Sequence, residues 1–201
     1  MIAAIVPAAG RSERMGRPKL TLPVAGGGTV IDRVIAALRR GGVAAVVVVG
    51  PPLDAPGSAE LFQQAADAGA LAIPVPSPTE DMRSTVEVGL DFLDRSSLGA
   101  RTVLIAPGDS VGLSAGLIAS VVSRAKEEPE SIVVPVFEGQ RGHPLALPAE
   151  VARSIRELPP GVGINALRDR FADRVVLLDV PDPGTTADLD TPDDYRRWSP
   201  E

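Results

Sequence analysis

The chain has 201 residues, enough for one domain with a full core and too few for two. Its 44% apolar and 23% charged residues are those of a globular protein. Aromatics at 3% leave no stacking platform for single-stranded nucleic acid, and a net charge of −6 argues against a general polyanion binder. Cysteine is absent, which excludes disulfides, thiolate metal sites and Cys nucleophiles.

Ile2 to Val6 is apolar at every position, the pattern of a central strand covered on both faces. No basic region precedes it, and Pro7 and the charges after Gly10 interrupt it, so it is not read as a signal peptide. The loop Ala8 to Pro23 is long enough to be functional. Gly26, Gly27 and Gly28 form a turn without G-x-G-x-x-G spacing, and the chain has no G-x-x-x-x-G-K-[ST]. Thr29 reads as an N-cap, with Val30, Ile31, Val34 and Leu38 at helical spacing and Gly41-Gly42 as the stop. Val46 to Val49 is a second buried strand, and the run Val43 to Val49 is too short to span a bilayer. A helix capped by Ser58 runs to about Ala68, and a third strand covers Leu71 to Val75. Ser84 to Leu93 reads as a helix, and Val103 to Ala106 as a strand running into Pro107-Gly108-Asp109. Leu113 to Lys126 is a helix and Ile132 to Val136 a fifth strand.

This alternation predicts an α/β, Rossmann-like, doubly wound and mostly parallel sheet in a single domain over 1–201, with ligands at the carboxyl ends of the strands. The last third is less regular. Glu138 to Leu147 reads as a turn between extended segments. Val151 to Leu158 and Gly163 to Phe171 read as helices, and Val175 to Val180 as a late strand. Thr191-Pro192-Asp193-Asp194 starts a helix, with a capping Thr, Pro at the first position and acids at the positive end of the dipole. A soluble cytoplasmic protein is expected.

Pro7 to Lys19 carries small residues at Ala8, Ala9 and Gly10, then Arg11, Arg14, Arg17 and Lys19 in an otherwise acidic chain. Backbone amides beside clustered cations suit a polyphosphate. Small residues after a strand also serve a plain turn, and scattered Arg also solvates a loop. Asp109, at a strand end after a Gly, suits a Mg²⁺ on a triphosphate as well as it suits simple turn geometry. Asp188 and Asp190 lie two apart, so in extended chain they share a side, where they add oxygen ligands or remain solvated turn acids. His143, the only histidine, sits between Gly142 and Pro144 and is either an acceptor contact or structural. Ser84 and Thr85 stand at a helix start, as caps or as ligand contacts.

Taken together, these residues resemble the MobA-like nucleotidyltransferase family, in its molybdenum cofactor cytidylyltransferase branch. The family opens Leu-Ala-Ala-Gly-x-Ser-x-Arg-Met-Gly-x-x-Lys, and this chain has Pro7-Ala8-Ala9-Gly10-Arg11-Ser12-Glu13-Arg14-Met15-Gly16-Arg17-Pro18-Lys19. Asp81-Met82-Arg83-Ser84-Thr85, Gly108-Asp109, Arg141-Gly142-His143-Pro144 and Asp188-Leu189-Asp190-Thr191-Pro192 follow in the same order. The resemblance implies that Ala8, Ala9 and Gly10 meet base and ribose, with Arg11 in the same loop. Arg14 and Lys19 then hold the triphosphate, Ser84 lies near the base, Asp109 binds Mg²⁺ with Asp188 or Asp190, and Gly142 and His143 face the acceptor. The catalytic set the resemblance implies is Arg14, Lys19 and Asp109.

The chain departs from the pattern at Pro7, at Ser110 where Gln-Pro is common, and at 159–165 where the family has Gly-Ala-Arg. Ala9 in place of a second Gly leans toward CTP over GTP. The implied activity is NMP transfer from an NTP to a phosphate-bearing acceptor, molybdopterin first, with release of pyrophosphate. A sugar-phosphate or phospholactate nucleotidyltransferase and a non-catalytic nucleotide-binding module are the other readings. No nucleic-acid or membrane partner is expected.

Overall fold

The computed structural model describes residues 1–10 and 12–200. Strands β1 (Ile2–Pro7), β2 (Ala45–Gly50), β3 (Leu71–Pro74) and β4 (Thr102–Ile105) pair in parallel in the order β3-β2-β1-β4. The order reverses beside β1, so a crevice opens at the carboxyl ends of β1 and β4. Beyond β4 the order is β7 (Leu145–Pro148), β5 (Ile132–Phe137) and β6 (Gln140–Arg141), with β8 (Val175–Asp179) parallel to β5. β7 runs antiparallel to both β4 and β5, and β6 runs antiparallel to β5. The sheet is therefore mostly parallel, with one reversed strand inserted between β4 and β5.

Each strand shows why it is central. Ala4 and Val6 of β1 pack into one core with Val46, Val48 and Leu104, while Ala3 and Ile5 pack into the other with Val47, Val49 and Val103. This period of two puts apolar side chains on both faces, so both must be covered. Helices α1 (Val30–Arg40), α2 (Ser58–Asp67) and α4 (Ala115–Glu127) supply the first cover. Helices α3 (Met82–Arg95), α5 (Ala149–Arg153) and the short α6 (Ala166–Arg170) supply the second.

The helices follow the sequence with shifts at their starts, of two residues for the helices read from Leu113 and Val151, which begin at Ala115 and Ala149. Thr29 caps α1 in a capping box with Asp32, as its spacing predicts. Ser58 is not a cap. Gly57 holds that position at φ 78°, and the Ser58 hydroxyl donates to the Leu53 carbonyl. Helix α3 begins at Met82 rather than Ser84. Asp81 is its cap and accepts from the Ser84 amide at 2.8 Å. The segment read as a helix over Gly163 to Phe171 contracts to α6, because 159–165 forms turns instead.

The last helix, α7 (Pro192–Arg196), is capped by Thr191 and folds back against the first loop. The Tyr195 hydroxyl donates to the Pro23 carbonyl at 2.7 Å, Arg17 stacks 5.3 Å from the Tyr195 ring centre, and the Ala25 amide donates to the Trp198 carbonyl. Among the described residues no helix is long and apolar enough to cross a membrane.

Candidate active site

The chain leaves β1 at Pro7 and β4 at Ile105, neighbouring strands of one parallel ladder, so the two following loops emerge side by side. The Ala8 amide donates to the Val49 carbonyl and Gly108 to the Pro7 carbonyl, which fixes both loops to the sheet edge. Between them lies a cavity of about 660 Å³ lined by Ala8, Ala9, Gly10, Arg14, Lys19 and Asp109, among others. Thr79, Asp81, Met82 and Thr85 close its far wall, and Asp190 reaches in from the C-terminal segment. A second cavity of about 500 Å³ shares Ala8, Ala9, Gly10 and Lys19 and is otherwise rich in proline, from Pro51, Pro52, Pro56 and Pro78.

Gly10 shows why small residues stand here. A Cβ on Gly10 would meet no atom within 4 Å, so the glycine opens space to the cavity instead of relieving a packing clash.

The charged centre is Lys19. Its ammonium lies 2.5 Å from Asp109 Oδ2 and 3.2 Å from Asp190 Oδ1, and its side chain is only 14% exposed. Arg14 Nη2 lies 2.9 Å from the same Asp190 oxygen but is 70% exposed. Residues 90 and 171 positions downstream thus converge on one cation. Arg14 is free to swing toward a ligand, whereas Lys19 must exchange its partners to meet one.

Asp188 and Asp190 do not share a destination. Asp188 Oδ1 accepts from the buried Ser110 hydroxyl at 2.7 Å, and Asp188 is outside the cavity lining. The Leu189 amide, between them, donates to the Asp109 carbonyl and pins the segment to the β4 loop. Ser110, a departure at sequence level, therefore holds Asp188 while leaving Asp109 in the cavity.

Ser84 is also outside the lining. Its hydroxyl donates to Asp81 Oδ1 at 2.8 Å, inside the first turn of α3. Amide and hydroxyl bonds from Ser84 hold the Asp81 carboxyl below its usual range. Thr85, one residue on, lines the cavity and bonds Thr79 at 2.8 Å, hydroxyl to hydroxyl. Arg11 lies outside the described residues.

Gly142 and His143 stand beside this centre, on the β6–β7 connection. A Cβ on Gly142 would run into the Thr185 backbone carbonyl, so packing alone accounts for glycine there. The His143 amide donates to the Thr185 carbonyl, and the Thr185 hydroxyl donates to the His143 carbonyl, each at 2.7 Å. Burial pushes the His143 imidazole below its usual value, against the charges of Asp188 and Asp109, which face it.

Among the described residues no group of three or more His, Asp or Glu side chains is placed to hold a metal. Mg²⁺ does not require one, since it is commonly held by one or two carboxylates with water and substrate phosphates completing the shell. Asp109 and Asp190 fit that pattern, because their oxygens already converge on a compact positive charge.

The sequence pattern of the MobA-like NTP transferase domain matches residues 4–175. No curated protein sequence matches the chain. Solved structures of the same fold include Rv0371c of Mycobacterium tuberculosis H37Rv, at 24% identity over 98% of this chain and 95% of that one, with a TM-score of 0.77. A nucleotidyl transferase from Methanothermobacter superposes with a TM-score of 0.79 at 23% identity, covering 98% and 95% of the two chains. A further structure of the M. tuberculosis protein, in complex with manganese, gives 0.75 at 23% identity over 98% and 96%. At these identities the likeness is one of fold.

Proposed function

The chain belongs to the MobA-like NTP transferase family, and we propose that it is a Mg²⁺-dependent cytidylyltransferase that moves CMP from CTP to a phosphate-bearing acceptor, molybdopterin first among them. The observation that carries this reading is the junction of Lys19 with Asp109 and Asp190 inside the cavity lined by Ala8 to Gly10. The preference for CTP rests on Ala9, through the resemblance to the cytidylyl branch.

The reaction joins an acceptor oxygen to the α-phosphorus of the nucleotide and breaks the bond from that phosphorus to the bridging oxygen of pyrophosphate. No covalent intermediate on the protein is needed. The task is to align two polyanions and to stabilise the charge that spreads between them. Mg²⁺ held by Asp109 and Asp190 would neutralise phosphate oxygens and polarise the α-phosphoryl group. The manganese complex of the M. tuberculosis fold relative is in keeping with a divalent cation. Lys19, once its two carboxylates are engaged elsewhere, turns its ammonium to the departing pyrophosphate. Arg14, exposed and paired on one side only, closes over the same oxygens. Asp188 stays with Ser110 and fixes the loop that presents Asp109 and Asp190.

The test is pyrophosphate release from each of four NTPs with Mg²⁺, against molybdopterin, a sugar phosphate and phospholactate. Release with CTP and molybdopterin is expected. Activity confined to another pair overturns the specificity, and NTP binding without release overturns the chemistry. Asp109→Ala loses about 10²-fold or more in turnover with the fold retained. An unchanged turnover in the folded variant removes the proposed metal role.

A further inference from the structure

The first loop is fastened unevenly. Its later part is fixed to the start of α1. The Val30 amide donates to the Leu22 carbonyl, the Ile31 amide to the Leu20 carbonyl, and Pro23 pairs with Thr29 in an isolated bridge. The arc from Ser12 to Lys19 is held mostly by itself. The Met15 and Gly16 amides donate to the Ser12 carbonyl, and the Lys19 amide to the Ser12 hydroxyl. Met15 is its one buried side chain among the described residues. Its cations supply the other ties: Lys19 to Asp109 and Asp190, Arg14 to Asp190, and Arg17 to the Tyr195 ring, 5.3 Å from its centre.

These ties differ in what a nucleotide does to them. In the proposed reaction Asp109 and Asp190 go to the metal, so the Lys19 and Arg14 pairs open. The Arg17 contact contains no carboxylate, so the metal leaves it intact. Its platform is fixed from the stationary side. The Tyr195 hydroxyl donates to the Pro23 carbonyl at 2.7 Å, and the ring packs against the first core. Further on, the Trp198 carbonyl accepts from the Ala25 amide, and the Trp198 ring lies 4.8 Å from the Arg33 guanidinium of α1. The C-terminal segment thus joins the arc to the fixed end of the same loop.

We propose that Tyr195 is a positioning residue: through Arg17 it keeps the arc, and with it Lys19 and Arg14, at the cavity while their acids are on the metal. This rests on reading that cavity as the site of a metal-bound NTP. Positioning reduces the ordering that the triphosphate must otherwise impose on the arc, so it shows in nucleotide affinity.

The first test uses no nucleotide. Asp190→Asn imitates the released acid. Amide hydrogen exchange at Met15, Gly16 and Lys19 is expected to run about threefold faster when Arg17→Gln is added to it, and about tenfold faster when Tyr195→Ala is added. Equal exchange in the three proteins overturns the proposal. The second test is calorimetric titration with CTP and Mg²⁺. Affinity falls about threefold in Arg17→Gln, about tenfold in Tyr195→Ala and no further in the double variant, while Arg17→Lys retains it. A loss in Arg17→Gln with none in Tyr195→Ala puts Arg17 on the ligand itself and overturns the proposal. So does full affinity in both variants with only the melting temperature lowered, which is plain packing. A wild type that binds no NTP with Mg²⁺ fails the transferase reading alone, and the exchange comparison still decides the tether.

Discussion

The two cation groups of this molecule stand in opposite electrostatic conditions. Lys19 and Arg14 reach Asp109 and Asp190 and are compensated within the protein. Arg141 and Arg168 face no carboxylate partner among the described residues, and a buried nitrogen of Arg168 is left bare. The first group cannot take a polyphosphate without releasing its acids, and free carboxylates beside phosphate would repel it. A ligand that brings its own divalent cation solves both problems at once. The contrast suits the proposed function, in which the nucleotide reaches Lys19 with a divalent cation.

Lys19→Ala breaks the contrast most severely. Turnover falls about 10²-fold or more. Steady-state pyrophosphate release checks it, and an unchanged turnover in the folded variant removes the role proposed for Lys19.

Gly142→Ala strikes the other side. Its Cβ has no room before the Thr185 carbonyl, so the variant loses about 1–3 kcal/mol of stability in denaturant titration. Gly10→Ala provides the sharpening control. With no atom within 4 Å of its Cβ it costs little stability, and CTP binding weakens because the cavity narrows.

Asp81→Ala acts on the cavity wall alone. The loss of the α3 cap costs about 1 kcal/mol, with NTP affinity reduced.

Asp94→Asn, outside the cavity lining, should leave NTP binding untouched. Burial pushes the Asp94 carboxyl up, but its bonds with Arg153 and Arg156 outweigh this and hold it below the usual range. The folded protein therefore keeps this stabilisation at neutral pH and loses it as pH falls below the ordinary carboxylate value. Asp94→Asn removes about 0.5 kcal/mol above that range and flattens the acid limb of a stability profile.

The central strand β1 and the first loop were legible because each rests on a local signal. Ile2 to Val6 has no polar residue, and the loop after it repeats a long, specific signature. The start of α3 was missed because Asp81 and Ser84 are both good capping residues three apart, and only one of them can hold the cap. The reversed β7 was invisible for a different reason. Leu145 to Leu147 is as apolar as a parallel central strand, and its direction is set by how the chain returns from β6. Asp188 and Asp190 were indistinguishable by spacing, since the deciding partner is Ser110, far away in sequence. Arg168 stood in Leu-Arg-Asp-Arg, which reads as a solvated helix face. Only tertiary packing leaves its Nε without a partner.

The return of α7 to the first loop has a consequence for synthesis. Lys19 emerges from the ribosome early, yet one of its two counter-charges follows 171 positions later. During that interval the nascent loop carries Lys19 and Arg14 without Asp190, and without Tyr195 and Trp198 to fasten it. Translation must reach α7 before that loop gains its second counter-charge and these fastenings. Ribosome-stalled chains ending before Asp188 would retain this immature, more cationic surface.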